Sequence, residues 1–573
     1  MMETNQQYRI SVFDKKYQTY EYRGVNTNCV LSRADIDIDP TEKKLFSQDV
    51  FLVDSKGEMR ILESPVRTAK YIAGVLVIAD GRTYGRTKNQ KRLLYKCIPD
   101  NNEYPAFLIP YEVKHGFSKS IQNRFVLFKY SDWESSAKHP HGILTEVLGD
   151  VGTTSVYYEY QVYCKNLFVS MREFSKQIST KMADTIDTRR MKRKYNVQDF
   201  SSDYAFTIDP PNTTDFDDAF SIMKTSNKIY KISVHIANVA VVLEYLELWE
   251  HVTNRASTIY LPDHPRHMLP SSLSQNYCSL VQNTERCVMT MDAFVDMDIG
   301  KIRNFEFRNK SIVVKSNYVY EEESLLANES YRMLFDVSHK LDDSIRNSHD
   351  LVAYWMTKMN MICGDCLSKY RVGIYKTLSV KGERDIPQGF SETSSRVIKN
   401  WKNVSSNYES FNDSLLHALM DVTNYCHITS PIRRIVDIVN QILFLTHLGR
   451  REFGMQEKLS ESADTFCQKW LYKIPYVNET MKETRKIQNN CTILDKIERE
   501  PHILHNEYSG VVFDKKNKYQ NVFCYMVFIE ALNMLFQLNN TQSLDEYHTY
   551  NFKLFIFECE DNIKRKVRLQ LLA

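Results

Sequence analysis

Four carboxylates within ten residues, with no basic side chain among them, constrain this chain more than anything else in it. The stretch Phe206 to Phe220, FTIDPPNTTDFDDAF, carries Asp209, Asp215, Asp217 and Asp218. Like charges this close raise one another's pKa values, so a fold that holds them together needs something to hold them for. Hard divalent cations such as magnesium take oxygen ligands, usually one or two carboxylates with waters and substrate phosphates. Phosphodiester chemistry is therefore the first candidate, and a solvated acidic turn is the plain alternative. Pro210 and Pro211 stiffen the loop, and apolar strand-like runs flank it on both sides, so a buried, held loop is expected.

A chain of 573 residues is long enough for about three to five domains. Its hydrophobic fraction of 43% and charged fraction of 25% describe a soluble globular protein. No run reaches the roughly 18 apolar residues of a membrane span, and MMETNQQYRI lacks a secretory pattern, so an intracellular, cytoplasmic protein with no membrane partner is expected. The 12 cysteines are scattered, as suits free thiols. Cys363 and Cys366 form the one CxxC, but Leu351, Trp355, Met359, Ile362 and Cys366 fall at helical spacing, which favours buried helix cysteines over zinc. With 74 basic and 71 acidic residues the net charge is +3, which makes no case for a polyanion partner by itself. RRMKRK, ending at Lys194, reads as a solvated basic surface.

Residues 1–68 read as short strands and turns forming a first small barrel. Across 71–152, YIAGVLVIADGRTYGR, KRLLYKCI, YPAFLIPYEV and RFVLFKYSDW have the strand spacing of a second. Tyr84, Arg86, Lys91, Arg92 and Tyr95 supply the basic and aromatic mixture of a single-strand-binding face, with plain barrel packing as the alternative. A mixed α/β domain occupies 155–500. In it YAFTID ends a strand at Asp209, and FSIMK and KIYKISVHIA make a hairpin across TSNK. RASTIYLPDHPRHMLP is a proline-punctuated loop with Tyr260; its His264 and His267 lack the cysteine or helix that would make them a zinc pair. In HITSPIRRIVD, Ser430 suits an N-cap and Pro431 the first helical position, with the helix ending at Gly449. That places Arg433 and Arg434 in a first helical turn, against the macrodipole, where free N–H groups and guanidinium together suit a phosphate. Pairing with Asp437 is the competing role. Five β-type runs in 505–573 make a last small barrel.

FTIDPPNTTDFDDAF resembles the signature of the ribonuclease II (RNB) family. RASTIYLPDHPRHMLP, LSQNYCSLVQNTER and HITSPIRRIVD follow in family order, and the resemblance runs along essentially the whole chain, nearest to the exosome-type and ribonuclease R branch. It implies a multidomain α+β protein: a central mixed α/β RNB domain, two cold-shock-like OB-type barrels before it and an OB-type RNA-binding barrel after it. The implied activity is processive 3′-to-5′ hydrolysis of single-stranded RNA to nucleoside 5′-monophosphates with magnesium, manganese substituting. By the same resemblance Asp209, Asp215, Asp217 and Asp218 hold metal and Arg433 is the catalytic arginine. Arg434, Tyr260 and Tyr375 are substrate-binding, the two tyrosines clamping bases at the 3′ end. A monomer is implied, associating with an RNA-decay complex and with no N-terminal endonuclease domain. The alternative is a weak or inactive RNB-fold RNA-binding protein. Three positions after SPIRR, Ile435, Asn440 and Gln441, depart from the family pattern, and a later motif is reduced to Gln488 and Asn489.

Overall fold

The computed structural model describes residues 6–27, 29–31, 36, 38–54, 58–113, 121–183, 188–226, 228–377, 387, 389–404, 407–412, 424–519, 522–558 and 565–572. Two compact units emerge, Met1–Phe168 with Asn489–Ala573, and Val169–Gln488.

In the first unit, β1 (Gln6–Val12), β2 (Tyr20–Gly24), β3 (Val30–Leu31), β4 (Val50–Val53) and β5 (Met59–Glu63) make a sheet ordered β3-β2-β1-β4-β5. Ile10, Val12, Tyr22 and Phe51 form its core. Among the described residues its edges do not pair, so the first expected barrel stands as an open sheet. β6 (Ile72–Leu76), β7 (Leu93–Pro99), β8 (Phe107–Tyr111), β9 (Arg124–Asp132) and β10 (His141–Asp150) close a barrel. Gly74 is needed there, because a Cβ would lie 2.8 Å from the Ile98 carbonyl oxygen. The expected single-strand-binding face is not assembled as one: Tyr95 is buried in the barrel core, while Tyr84, Arg86, Lys91 and Arg92 are exposed between or beyond the strands. Strand alternation sends Tyr95 inward. The helix Thr154–Cys164 lays Tyr160 and Tyr163 on Ala73, Val75 and Phe125, with the Tyr160 and Phe125 rings 4.2 Å apart. This helix therefore belongs with the barrel and not with the domain expected to begin at 155.

The second unit is built on β11 (Gln198–Asp199), β12 (Ala205–Asp209), β13 (Asp218–Lys224), β14 (Ile229–Ala237), β15 (Ile259–Tyr260), β16 (Pro265–Arg266), β17 (Glu285–Asp296), β18 (Lys301–Val319), β19 (Ile374–Thr377) and β20 (Asn407–Ser410). The main sheet runs β11-β18-β12-β13-β14-β17, and β17 pairs with β18 as well. One long strand serves both margins: β18 is antiparallel to β17 up to Val313 and parallel to β12 from Val314 to Val319. The expected hairpin is present, registered from Asp218 opposite Ile236 to Lys224 opposite Tyr230. β12 and β13, with Phe206 opposite Phe220, thus place Asp209 and Asp218 at the two ends of one loop.

Helices cover this sheet. Asn328, Asn347 and Ser460 cap Glu329–Leu341, Ser348–Lys369 and Glu461–Tyr472 through their side-chain oxygens. The helix Ile435–Leu448 is apolar nearly all round and is buried accordingly, and Ile474–Arg499 is the longest described. Leu351, Trp355 and Met359 of the spaced stripe are buried in Ser348–Lys369, but the cysteine fully buried there is Cys363, while Ile362 and Cys366 of the stripe are partly exposed. In the first unit, β21 (Glu507–Tyr519), β22 (Val522–Ile529), β23 (Met534–Asn540), β24 (Thr549–Glu558) and β25 (Arg565–Leu571) form the sheet β23-β22-β21-β24-β25, whose end strands approach each other. Among the described residues no helix is long and apolar enough to cross a membrane.

Candidate functional site

The loop between β12 and β13 is held from several sides. Thr213 donates its N–H and hydroxyl to the Pro210 carbonyl, and Asn212 takes a left-handed φ of 65°. Ser279 Oγ accepts from the Phe216 N–H and donates to the Thr214 carbonyl, 3.0 Å each. The Leu280 N–H donates to the Phe216 carbonyl and the Ala237 N–H to that of Asp217. The acidic loop is therefore fixed, but only its carboxylate end is buried: Pro210, Pro211, Asn212 and Thr214 are exposed. Asp215, Asp217 and Asp218 are under a tenth exposed, and Asp209 Oδ2 is a buried oxygen with no hydrogen-bond partner.

Burial is the largest influence on three of these carboxyls. It lifts Asp209 to about 7, opposed by the Thr207 hydroxyl and Arg433 and reinforced by Asp217 and Asp215. It lifts Asp217 to about 8, opposed by Arg433 and the Ile432 N–H and reinforced by Asp218 and Asp215. It lifts Asp218 to about 7, reinforced by Asp209 and opposed by Arg433 and Arg434. The four aspartates and Arg433 share one electrostatic site.

Arg433 enters through backbone pairing that corrects the expected helix start. Thr258 N–H donates to the Arg433 carbonyl, Arg434 bridges to Ser257, and Ile435 N–H donates to the Ala256 carbonyl. Drawn into this extended pairing, Arg434 has a φ of −137° and is itself the cap residue, so the helix begins at Ile435 and Ser430 is not its N-cap. Residues 430–434 form a single turn ahead of the helix. From that turn Arg433 Nε donates to Asp217 Oδ2 (3.0 Å) and Nη2 to Ser430 Oγ (3.0 Å), while Ile432 N–H donates to Asp217 Oδ1 (2.8 Å). The Arg433 side chain is 44% exposed. Arg434 faces the other way, donating from Nε and Nη2 to the two oxygens of buried Asp437, 2.9 Å each.

Tyr260 closes another side. Its hydroxyl donates to Asp215 Oδ2 (2.8 Å), its N–H donates to Gln488 Oε1 (3.2 Å), and its ring is partly open to solvent. Gln488 of the reduced motif thus still holds the tyrosine. Tyr375 is not brought to this surface. It is fully buried, its hydroxyl donates to the Val372 and Gly364 carbonyls, and it has no free face for a base. The apolar positions of β19 turn toward the core, which a local motif match does not register. His264 is exposed, whereas His267 is only partly exposed and lies beside Asp215. The departures from the family pattern are packed and satisfied. Ile435 is fully buried, Asn440 holds the Ile374 N–H and the Ile374 and His427 carbonyls, and Gln441 bonds Ala237 and Ala240.

Sequence reasoning passed over Tyr320. Its N–H donates to the Asp209 carbonyl, its ring stacks on His349 at 3.8 Å, and burial, with Asp218 and Asp209, pushes its hydroxyl's pKa up. The alternation of Tyr318 and Tyr320 at the end of a long strand was its signal, but the parallel pairing with β12 that gives it meaning is tertiary. Among the described residues no group of three or more His, Cys, Asp or Glu is already arranged as a metal cage. The donor set is nonetheless all carboxylate oxygen, one of those oxygens is buried and unsatisfied, and the carboxyls carry excess proton affinity, which fits a hard divalent cation.

Residues 197–352 match the RNB domain. Ribonuclease R of Aquifex aeolicus is 29% identical over 296 residues, covering 50% of this chain and 39% of that protein. Ribonuclease R of Thermotoga maritima is 31% identical over 201 residues, 35% of this chain and 28% of that one. The exosome complex exonuclease RRP44 of Mus musculus is 28% identical over 213 residues, 36% and 21% of the two chains. The chain thus spans well under two thirds of these curated relatives. Mycoplasma genitalium RNase R, solved in complex with ribose-methylated single-stranded RNA, shares the fold at a TM-score of 0.63 and 17% identity over 98% of this chain and 97% of that one. Yeast Ssd1, a pseudonuclease, follows at a TM-score of 0.54 and 12% identity, covering 96% and 80%.

Proposed function

We propose that this chain, which carries an RNB domain within a fold shared with Mycoplasma genitalium RNase R, is a processive 3′-to-5′ exoribonuclease that hydrolyses single-stranded RNA to nucleoside 5′-monophosphates with magnesium, manganese substituting. The observation that carries the reading is the fixed loop whose carboxylate end brings Asp209, Asp215, Asp217 and Asp218 together against Arg433. Asp209, Asp215, Asp217 and Asp218 would hold the cation. When bound, a divalent cation polarises the scissile phosphate and lowers the pKa of the attacking water. Arg433, half in solvent, is placed to share its charge with a phosphate whose negative charge grows in the transition state. The exposed ring of Tyr260 offers a stacking surface that accepts any base.

A cytoplasmic monomer acting on RNA, able to join an RNA-decay assembly as an exosome exonuclease does, completes the proposal. The second reading, an RNA-binding protein with a silent site, has one observation in its favour beyond the fold of Ssd1. Asp217 is already satisfied by Ile432 and Arg433. Labelled single-stranded RNA incubated with magnesium separates the two. The exonuclease releases mononucleotides from the 3′ end, and Asp217→Asn stops release while RNA binding stays within a few-fold. Release that persists in Asp217→Asn removes the site assignment, and a wild-type protein that binds but never cuts establishes the second reading.

A further inference from the structure

His267 sits where the acidic loop meets the proline-punctuated segment, and its surroundings are unequal on the two sides of its ring. The backbone is fixed: its carbonyl accepts from Arg255 Nη1 (3.1 Å), and the next N–H donates to Thr258 Oγ1 (3.0 Å). The side chain is only 12% exposed. Nε2 meets the side-chain amide nitrogen of Gln275 at 2.9 Å, and that same amide donates to Thr214 Oγ1 (3.1 Å), one residue before Asp215. Nδ1 is buried without a hydrogen-bond partner, and 3.9 Å away lies Asp215 Oδ2, the oxygen that already accepts from Tyr260.

With Nε2 accepting from Gln275, the ring proton is on Nδ1, and a doubly protonated ring also carries one there. A lone pair at that position would face a carboxylate oxygen. We infer that His267 is a positioning residue for Asp215, its Nδ1–H and the Tyr260 hydroxyl together engaging Oδ2 so that Oδ1 alone is left for a cation. The gap is about 1 Å longer than a hydrogen bond, the kind of slack that closes when a site is loaded. Outer partners of this type fix the orientation of a ligand without touching the metal. The inference rests on the proposed cation site and adds a residue to it.

The test uses the full chain without RNA and Mn2+ alone as the probe, with free Mn2+ counted by electron paramagnetic resonance. His267→Ala is expected to weaken Mn2+ binding about 10-fold, and His267→Asn, whose amide N–H stands near the place of Nδ1–H, to restore it to within about 3-fold. On RNA the same order is expected in the magnesium needed for half-maximal rate, with KM for RNA unmoved. Wild-type Mn2+ affinity in His267→Ala, or an Asn variant as weak as Ala, overturns the inference. Asp217→Asn is the reference: if it binds Mn2+ as the wild type does, the cation site itself is wrong. If it is weakened while His267→Ala is not, only the role of His267 falls.

Discussion

Inside the β13–β14–β17–β18 sheet, Asp292 is buried and fully engaged: Ser233 Oγ donates at 2.5 Å, Lys310 Nζ at 2.8 Å, and Arg308 lies 4.0 Å off. Next to it His235 is held between Ser221 (3.0 Å) and Thr290 (2.9 Å). At the end of the same sheet Asp209 buries an oxygen that meets nothing, and burial, reinforced by neighbouring carboxylates, raises the pKa values of Asp209, Asp217 and Asp218. Buried charge that is matched inside the protein serves the fold. Buried charge left unmatched destabilises it and persists where a ligand completes it. The sharpest way to break this contrast is to neutralise one carboxylate of each kind. Asp209→Asn is expected to lose RNA hydrolysis by at least about 10³-fold, with a metal-free melting point equal to or above wild type. Asp292→Ala strands a fully buried ammonium and is expected to cost ~3–5 kcal/mol of stability. A stable Asp292→Ala, or a poorly folded Asp209→Asn, by thermal melting, erases the distinction.

The two arginines repeat the contrast at adjacent positions. Arg433 is shared between Asp217 and solvent, whereas Arg434 is spent on Asp437 through two parallel bonds. Arg433→Ala is expected to slow hydrolysis by about 10²–10³-fold with little change in melting. Arg434→Ala leaves Asp437 buried with only the Ser430 N–H, and its loss is expected in stability, about 3 kcal/mol. Single-turnover rates beside denaturant melts decide it, and a reversed pattern would exchange their roles.

Much of this contrast was legible in one dimension. The acidic spacing, the hairpin after it, the tyrosine of the proline-rich loop and the arginine turn are all local patterns, and local patterns survive translation into structure when one segment supplies the whole feature. What was not legible needed a second segment. The pairing of 433–435 with 256–258 pulled the helix start from Ser430 to Arg434, against good capping residues. Tyr375 matched a motif by its neighbours, yet its strand turns it into the core. His267 was weighed only against His264 as a zinc ligand, because nothing in sequence places it 3.9 Å from Asp215. Asn440 and Gln441 stood out in sequence only as departures from the family pattern, and are buried donors and acceptors for backbone that the sequence does not show nearby.

The raised carboxyls of the acidic loop also set a pH dependence. Their folded pKa values, about 7 for Asp209 and Asp218 and about 8 for Asp217, lie above the ordinary carboxylate value. Above pH 4 the folded protein therefore holds protons that the unfolded chain has released, so the metal-free stability they contribute is full at low pH and lost as pH rises through 7 to 8. The melting point of EDTA-treated protein is expected to fall between pH 6 and pH 8, less steeply in Asp217→Asn. Because a cation must displace those protons, its affinity should rise over the same interval. A flat metal-free profile would show that burial does not hold protons on these carboxyls.

The smallest effect belongs to the tyrosines, and it tests the contrast on uncharged groups. Tyr260→Phe keeps the ring and removes one donor from Asp215 Oδ2, so RNA affinity should hold while the rate falls about 10-fold, the lower end of what one hydrogen bond to a charged group contributes. Tyr375→Phe strips a hydroxyl from two buried carbonyls and should cost ~1 kcal/mol of stability with neither rate nor affinity altered. If Tyr375→Phe instead weakened RNA binding in a filter assay, the residue would have to leave the core to meet a base. The division between matched and unmatched groups would then fail at its most buried member.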